Sequence, residues 1–278
     1  MKAYLLNFYR FILCRRIFYK FNTHLYKLSL RGLGVLNSEG PRVTGERHLF
    51  ENILVDYNIK VVFDIGANTG GYSLQIKRKF PKATIYAFEP NPKIFKILKK
   101  NVNKENIKAF NIGFSNKKGK SKLWDFADDA KLKHTQPTST LSSIYKDVIV
   151  KYHKQKPKSY NVKLETIDDF VLKNKIKKID FLKTDTEGSE FEILEGANNL
   201  LSKGKIKVIQ FEFNEMNVFS RVFLKDFIDL LNNYKLFRLM PNGLFPIENY
   251  QPKLHEIFAF QNIVAINKNS ISIKELTR

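Results

Sequence analysis

Short apolar runs alternate with amphipathic ones along most of this chain. KVVFDIG (60–66) predicts a buried strand, and GYSLQIKRKF (71–80) a helix stopped by Pro81. ATIYAFEP (83–90) predicts a second strand. In NPKIFKILKKNVNKEN (91–106), Ile94, Ile97, Leu98 and Val102 recur at helical spacing. IKAFNIGFS (107–115) predicts a third strand, KIDFLKTD (178–185) a fourth, and EGSEFEILEGANNLLSKG (187–204) a helix. KVIQFEF (207–213), a helix over VFLKDFIDLLNNY (222–234), and strands LFRLM (236–240) and QNIVAIN (261–267) close the series. Strands alternating with helices predict an α/β fold, with a mostly parallel sheet, helices on both faces and right-handed crossovers. The interval 125–163 breaks this rhythm. It holds His134, Pro137, the TSTLSS cluster and KYHKQKPK, so it reads either as a substrate-recognising insertion over the site or as a surface excursion without a role.

Residues 1–40 stand apart as an N-terminal arm, ahead of a domain over 41–267 and a tail over 268–278. Lys2, Arg10, Arg15, Arg16, Lys20, Lys27 and Arg31 occur before the first acid, Glu39. The cations interrupt every window long enough to cross a bilayer, and the apolar run Phe11–Cys14 is too short for a signal peptide. Leu5, Phe8, Ile12, Phe18 and Phe21 interleave with the charges, as in a helix lying in a bilayer interface. The expected partner for residues 1–31 is therefore an anionic membrane surface, with packing on the domain as the alternative. The expected location is the cytoplasm, at the inner face of the membrane. The whole chain carries a net charge of +21, which suits phosphate, anionic lipid or acidic glycan, although Lys is abundant everywhere. Its single Cys14 excludes a disulfide framework and a CxxC metal site, and fits a reducing compartment.

DIGANTGGYS (64–73) carries the first chemistry. A dinucleotide loop asks for GxGxxG, whereas this one has Gly66, Asn68 and Gly70, followed by Gly71. Asp64 at the strand end would repel a pyrophosphate but suits an ammonium group. Glu89, at the end of the second strand, stands where a carboxylate accepts the two hydroxyls of a ribose. An unphosphorylated adenosine with a cationic amino-acid portion meets all these demands, and S-adenosylmethionine is such a molecule.

FDIGANTGGYS, YAFEPNP, IDFLKTDTEGSEFEILEGA and IQFEFNE, in that order, resemble the motif series of the FkbM-type methyltransferases, a branch of the class I S-adenosylmethionine-dependent enzymes. The similarity runs from about Val61 to Asn267 and takes in VKLETIDDF. The resemblance implies a Rossmann-like fold with a seven-stranded sheet, and methylation of an oxygen, often on a sugar or secondary metabolite. It implies cofactor contacts from Asp64, Gly66, Asn68 and Gly70 at the methionine end, from Glu89 at the ribose, and from Asn111 to Phe114 near the adenine. Phe114 reads equally as core.

The resemblance also puts the end of the fourth strand, KTDTEGSE, at the transferred methyl. An alcohol needs a positioned base, and Asp185 is the first candidate for base or orienting carboxylate, with Glu187 the second. A structural reading competes: Asp185 or Thr186 would cap the following helix, while Glu187 and, more strongly, Glu190 would complement its dipole. A magnesium ion on Asp185 and Glu187 is conceivable, but no third ligand is fixed and no metal is claimed. His134 and His153 in the insertion, and Glu212 and Glu215 at the end of the fifth strand, are further candidates near the rim. The expected acceptor is a hydroxyl of a sugar or glycan precursor. Nucleic acid is not the expected substrate: the fourth strand reads DTEG where amino-directed enzymes carry Asn/Asp-Pro-Pro-aromatic, and no cysteine serves a cytosine-C5 reaction. Ribose methylation of RNA and a silent cofactor-binding module remain the alternatives.

Overall fold

Val62 and Asp64 face one side of strand β1 (Val61–Ile65), and Phe63 and Ile65 face the other, as the period-two geometry of a strand requires. All four are buried, so β1 lies at the centre of a sheet covered on both faces. The computed structural model describes residues 2–127 and 141–270. The expectations for His134, Pro137 and the tail from 271 lie outside them.

The strands that follow are β2 (Thr84–Phe88), β3 (Ile107–Phe110), β4 (Gly113–Phe114), β5 (Gly119–Phe126), β6 (Pro157–Glu165), β7 (Ile179–Thr184), β8 (Ile206–Phe213), β9 (Tyr234–Met240), β10 (Gly243–Pro246) and β11 (Gln261–Asn267). The main sheet has the order β10-β9-β11-β8-β7-β1-β2-β3. Its strands from β3 through β8 pair in parallel, whereas β11 runs antiparallel to both β8 and β9. One apolar layer gathers Phe63, Phe88, Phe114, Phe170 and Phe211 on one face, and another gathers Val62, Ile85, Phe181, Val208 and Phe237 on the opposite face.

The structure departs from the sequence expectation at four places. The sheet has eight strands rather than seven, because β10 folds back on β9 through a two-residue turn, Pro241-Asn242, ahead of Gly243. The stretch 107–115 is two strands: β3 belongs to the main sheet, while β4 crosses to a separate three-stranded sheet ordered β4-β6-β5. That second sheet runs through the interval read as an insertion, since the β5–β6 ladder extends to Phe126 opposite Pro157. The helix expected over 187–204 is broken into Glu190–Glu195 and Asn198–Ser202. At the break Gly196 lies so near Ser115 that a Cβ would stand 2.2 Å from its carbonyl oxygen.

Candidate active site

Two turns meet at the carboxyl ends of the central strands. Gly66, at φ +77°, leaves β1 and passes so close to the chain leaving β7 that a Cβ would lie 1.9 Å from the Asp185 carbonyl oxygen. Asp185 N–H in turn donates to the Ile65 carbonyl at 3.1 Å. Around this crossing lies a partly open cavity. Of the residues read from the sequence, Gly66, Asn68, Glu89, Phe114, Asp185 and Glu187 line it together. Pro90, Leu123, Ser142, Ile144, Leu164 and Ser189 also line it, and the sequence reading did not single them out; Thr186, read as a capping candidate, lines it too.

Glu89 is held rather than free to swing. Its Oε1 accepts from Asn91 N–H at 2.8 Å and its Oε2 from Asn68 N–H at 3.0 Å. Burial nevertheless pushes its carboxyl up to about 7, against the two backbone donors. The turn that presents it is braced by Asn111, whose Nδ2 donates to the Glu89 and Pro90 carbonyls at 2.8 and 3.0 Å. Asn111 therefore supports the cavity from outside and does not line it. Phe114 does both jobs open to it: it lines the cavity and packs edge-on against Phe88, with ring centroids 4.7 Å apart. Asn68 adopts φ +50°, and its buried Oδ1 has no hydrogen-bond partner within the protein.

The acid loop is built on a carboxylate that faces inward. Glu190 accepts from Thr186 N–H at 2.6 Å and Gly188 N–H at 3.0 Å, closing the loop 186–188 ahead of its own helix. This capping role is Glu190's; Asp185 and Thr186 do not cap. Glu187 sits at φ +56°, a costly conformation for a side chain of its size, and lines the cavity. Burial, followed by repulsion from Asp185, Glu190 and Glu215, raises its carboxyl to about 8. Burial also pushes Glu212 up, with Asp185 and Glu187 adding to it. Glu190 is raised to about 7, chiefly by burial.

Asp64 is placed differently from the expectation. Strand register sets Asp64 beside Lys183 and Lys183 beside Gln210, so three polar side chains form a row across β1, β7 and β8. Asp64 is fully buried there, accepts from Ser73 Oγ at 2.5 Å, and does not line the cavity. Its positive neighbour is the chain's own ammonium. Lys183 Nζ donates to Asp185 Oδ2 at 2.9 Å and stands 4.6 Å from the centre of the Tyr72 ring. Burial works against the charge on Lys183, but Asp185, Asp64 and Glu46 together outweigh it and hold the ammonium above its ordinary range. Tyr72 donates to Gln210, which donates to Glu46 at 3.0 Å and to Asn262 at 3.1 Å. Gly70 also lies off the cavity: at φ +90° it seats the helix Pro92–Val102, since a Cβ there would meet Leu98 at 2.8 Å.

The far wall comes from residues just after the undescribed part of the insertion. Ser143 Oγ donates to the Glu187 carbonyl at 2.7 Å, and Tyr145 donates to Glu192. Asn91 Nδ2 donates to Asp125 and to Ser142 Oγ, each at 3.2 Å. Tyr152 is pushed up by burial and by Glu215, Glu187 and Glu212, so it faces the acidic rim. His153 instead stacks edge-on with Phe126 and Tyr152. Among the described residues no group of three His, Cys, Asp or Glu side chains is arranged to hold a metal ion.

The chain spans about three fifths of the length of the first curated relatives it matches. The chain is 29% identical over 156 residues to "Methyltransferase sdnD" of Sordaria araneosa, covering 49% of this chain and 60% of that protein. It is 23% identical over 197 residues to "2-O-methyltransferase NoeI" of Sinorhizobium fredii, covering 66% of this chain and 76% of that protein. Among solved structures, the N-terminal domain of human METTL16 superposes with a TM-score of 0.43 at 12% identity, covering 84% of this chain and 72% of that one. The model of the methyltransferase FkbM domain matches residues 64–239, from the end of β1 into β9. That match takes in more than half of the sequence and both turns that meet at the cavity, and the chain belongs to the FkbM-domain methyltransferases.

Proposed function

We propose that this chain transfers a methyl group from S-adenosylmethionine to a hydroxyl of a sugar or glycan precursor. The observation that carries the reading is the sharing of one cavity by the glycine turn, Glu89 and the acid loop. The residues present fit the donor. Gly66 leaves a cradle that a Cβ would fill, Asn68 offers an unsatisfied buried oxygen, and Glu89 keeps lone pairs beyond those its two backbone donors use. Glu89 would take the ribose hydroxyls, Phe114 with Pro90 and Leu164 the base, and Gly66 and Asn68 the amino-acid portion. When bound, the donor supplies an electrophilic methyl on a sulfonium.

The chain's own task is then alignment and proton removal. Asp185, gripped by Lys183, orients the acceptor hydroxyl, and Glu187 has a carboxyl poised to take its proton near neutral pH. Ile144, Leu123 and Ile193 add an apolar wall to the same cavity. Oxygen as the acceptor atom is supported by the name of the NoeI relative. A glycan is the class of acceptor that a rim of carboxylates binds well, because each oxygen accepts a sugar hydroxyl. The catalytic domain is proposed to span 41–267, with 125–163 as its recognition element.

The test is turnover with tritiated methyl donor and fractionated lysate, comparing the parent chain with Asp185→Asn at saturating donor. Label in saccharide, with a loss of about 10²-fold or more in the variant, is the expected result. Unchanged turnover in Asp185→Asn would remove that residue from the mechanism, and label in RNA would replace the acceptor class.

A further inference from the structure

The first two helices, Lys2–Leu13 and Tyr19–Gly32, have no core of their own. Leu30 is the one buried residue of the second helix. Asn22 ties the pair into a hairpin, accepting from Tyr9 Oη at 3.1 Å and donating to the Leu13 carbonyl at 2.8 Å. Around it Leu5, Phe8, Phe11, Ile17, Phe21 and Leu28 are all exposed, Ile17 at 84%. So many large apolar side chains exposed on one hairpin mark a contact with something apolar.

What covers it is indicated by charge and length. Arg10, Arg15, Arg16, Lys20 and Lys27 lie among these apolar side chains, and Arg15 stacks 5.2 Å over the Phe11 ring. No acid accompanies them within either helix; Glu39, beyond the hairpin, pairs with Arg31. A helix of twelve residues is only ~18 Å long, short of the ~30 Å of a bilayer core. Among the described residues no helix is long and apolar enough to cross a membrane. Long basic side chains beside aromatic ones, on helices too short to span, match the headgroup region of a bilayer.

The hairpin is also anchored at a telling place. Leu36 N–H donates to the Phe260 carbonyl at 2.8 Å, and Arg238 Nη1 donates to the Leu33 carbonyl at 3.2 Å. Leu30 and Val35 pack with Ala259. Phe260 leads into β11, whose first residue pairs with Phe213 at the carboxyl end of β8. The acid loop leaves β7 at this same end of the sheet. We infer that the hairpin 2–32 is a foot that binds the surface of an anionic phospholipid bilayer and sets the rim bearing the acid loop against it. For the proposed transfer, on which this last step rests, the acceptor is then a hydroxyl carried on a lipid anchor.

The experiment is flotation of the full chain, without methyl donor, on vesicles of phosphatidylcholine alone and of phosphatidylcholine mixed with phosphatidylglycerol. Because no turnover is read, its failure is distinct from failure of the transfer reading. Phe8→Ser/Phe11→Ser/Ile17→Ser and Arg15→Gln/Arg16→Gln/Lys20→Gln should each lower anionic-vesicle binding by ~10-fold or more. Lys120→Gln/Lys122→Gln/Lys158→Gln, on the second sheet, should leave it unchanged. The exposed Cys14 lies in the hairpin's turn and is the chain's single cysteine, so an environment-sensitive dye there should shift to the blue on anionic vesicles alone. The inference is overturned by equal flotation of the arm variants, by equal loss in the second-sheet variant, or by a dye that does not respond. It is likewise overturned if the hairpin's apolar residues instead hold a dimer in vesicle-free sedimentation, or if RNA binds the arm and lipid does not compete.

Discussion

Gly66 and Asp185 are in backbone contact, so the turn after β1 and the turn after β7 share one wall with no side chain between them. Gly66→Ala forces both a left-handed alanine and a contact at 1.9 Å. The expected cost is about 2–3 kcal/mol of stability, seen as a lowered thermal midpoint, together with loss of adenosyl binding in calorimetry.

Glu187 links activity to pH with opposite effects on stability. As a base it must be ionised, so the rate should rise through about pH 8 and level off above it. Its folded carboxyl is raised from the ordinary 4.5, so the folded protein holds a proton that the unfolded chain has released. Stability from this group is complete below about 4.5 and falls, by up to ~1.4 kcal/mol per pH unit, until about pH 8. Glu187→Gln should lower turnover by about 10²–10⁴-fold and raise the thermal midpoint at pH 8 more than at pH 5. A variant that loses activity without this gain in stability would contradict the burial argument.

For Glu89, protonation below about 7 removes the charge that ribose hydroxyls would meet. Affinity for an adenosyl ligand should strengthen as pH rises through that value. Glu89→Gln should weaken binding about 10–100-fold, as expected for a lost charged hydrogen bond, and flatten the pH dependence. Calorimetry at several pH values measures both.

Lys183 is the buried cation among Asp64, Asp185 and Glu46. Lys183→Met leaves three acids uncompensated, and a loss of about 3–5 kcal/mol is expected from the denaturant midpoint. Lys183→Arg should not restore the parent value, because a planar guanidinium does not replace a compact ammonium over Tyr72.

Local signals carried much of this site. Glycines and acids at strand ends can be found by eye, because a run of apolar residues stops there and the fold puts its ligands beyond those ends. Gly66, Asn68, Glu89, Phe114, Asp185 and Glu187 were picked out for that reason, and they line one cavity. Asp64 was misleading because its neighbour is set by register: Lys183 is its partner only through pairing of two strands far apart in the sequence, and no periodicity reveals such a pairing. The same holds for β5 and β6, whose ladder runs into the interval that composition marked as an insertion. Asn111 has the right address and a different task, tying the Glu89 turn from behind. The Asn242-Gly243 pair was a local sign of β10, a strand outside the expected seven.

The two serines that follow Leu141 reach opposite ends of the cavity: Ser142 is tied through Asn91 to the segment carrying Glu89, and Ser143 to the backbone of Glu187. Adjacent residues on one strap cannot move independently by more than a peptide unit allows. A shift of the segment carrying Glu89 is therefore felt at Glu187, the two places proposed for the donor's sugar and the base.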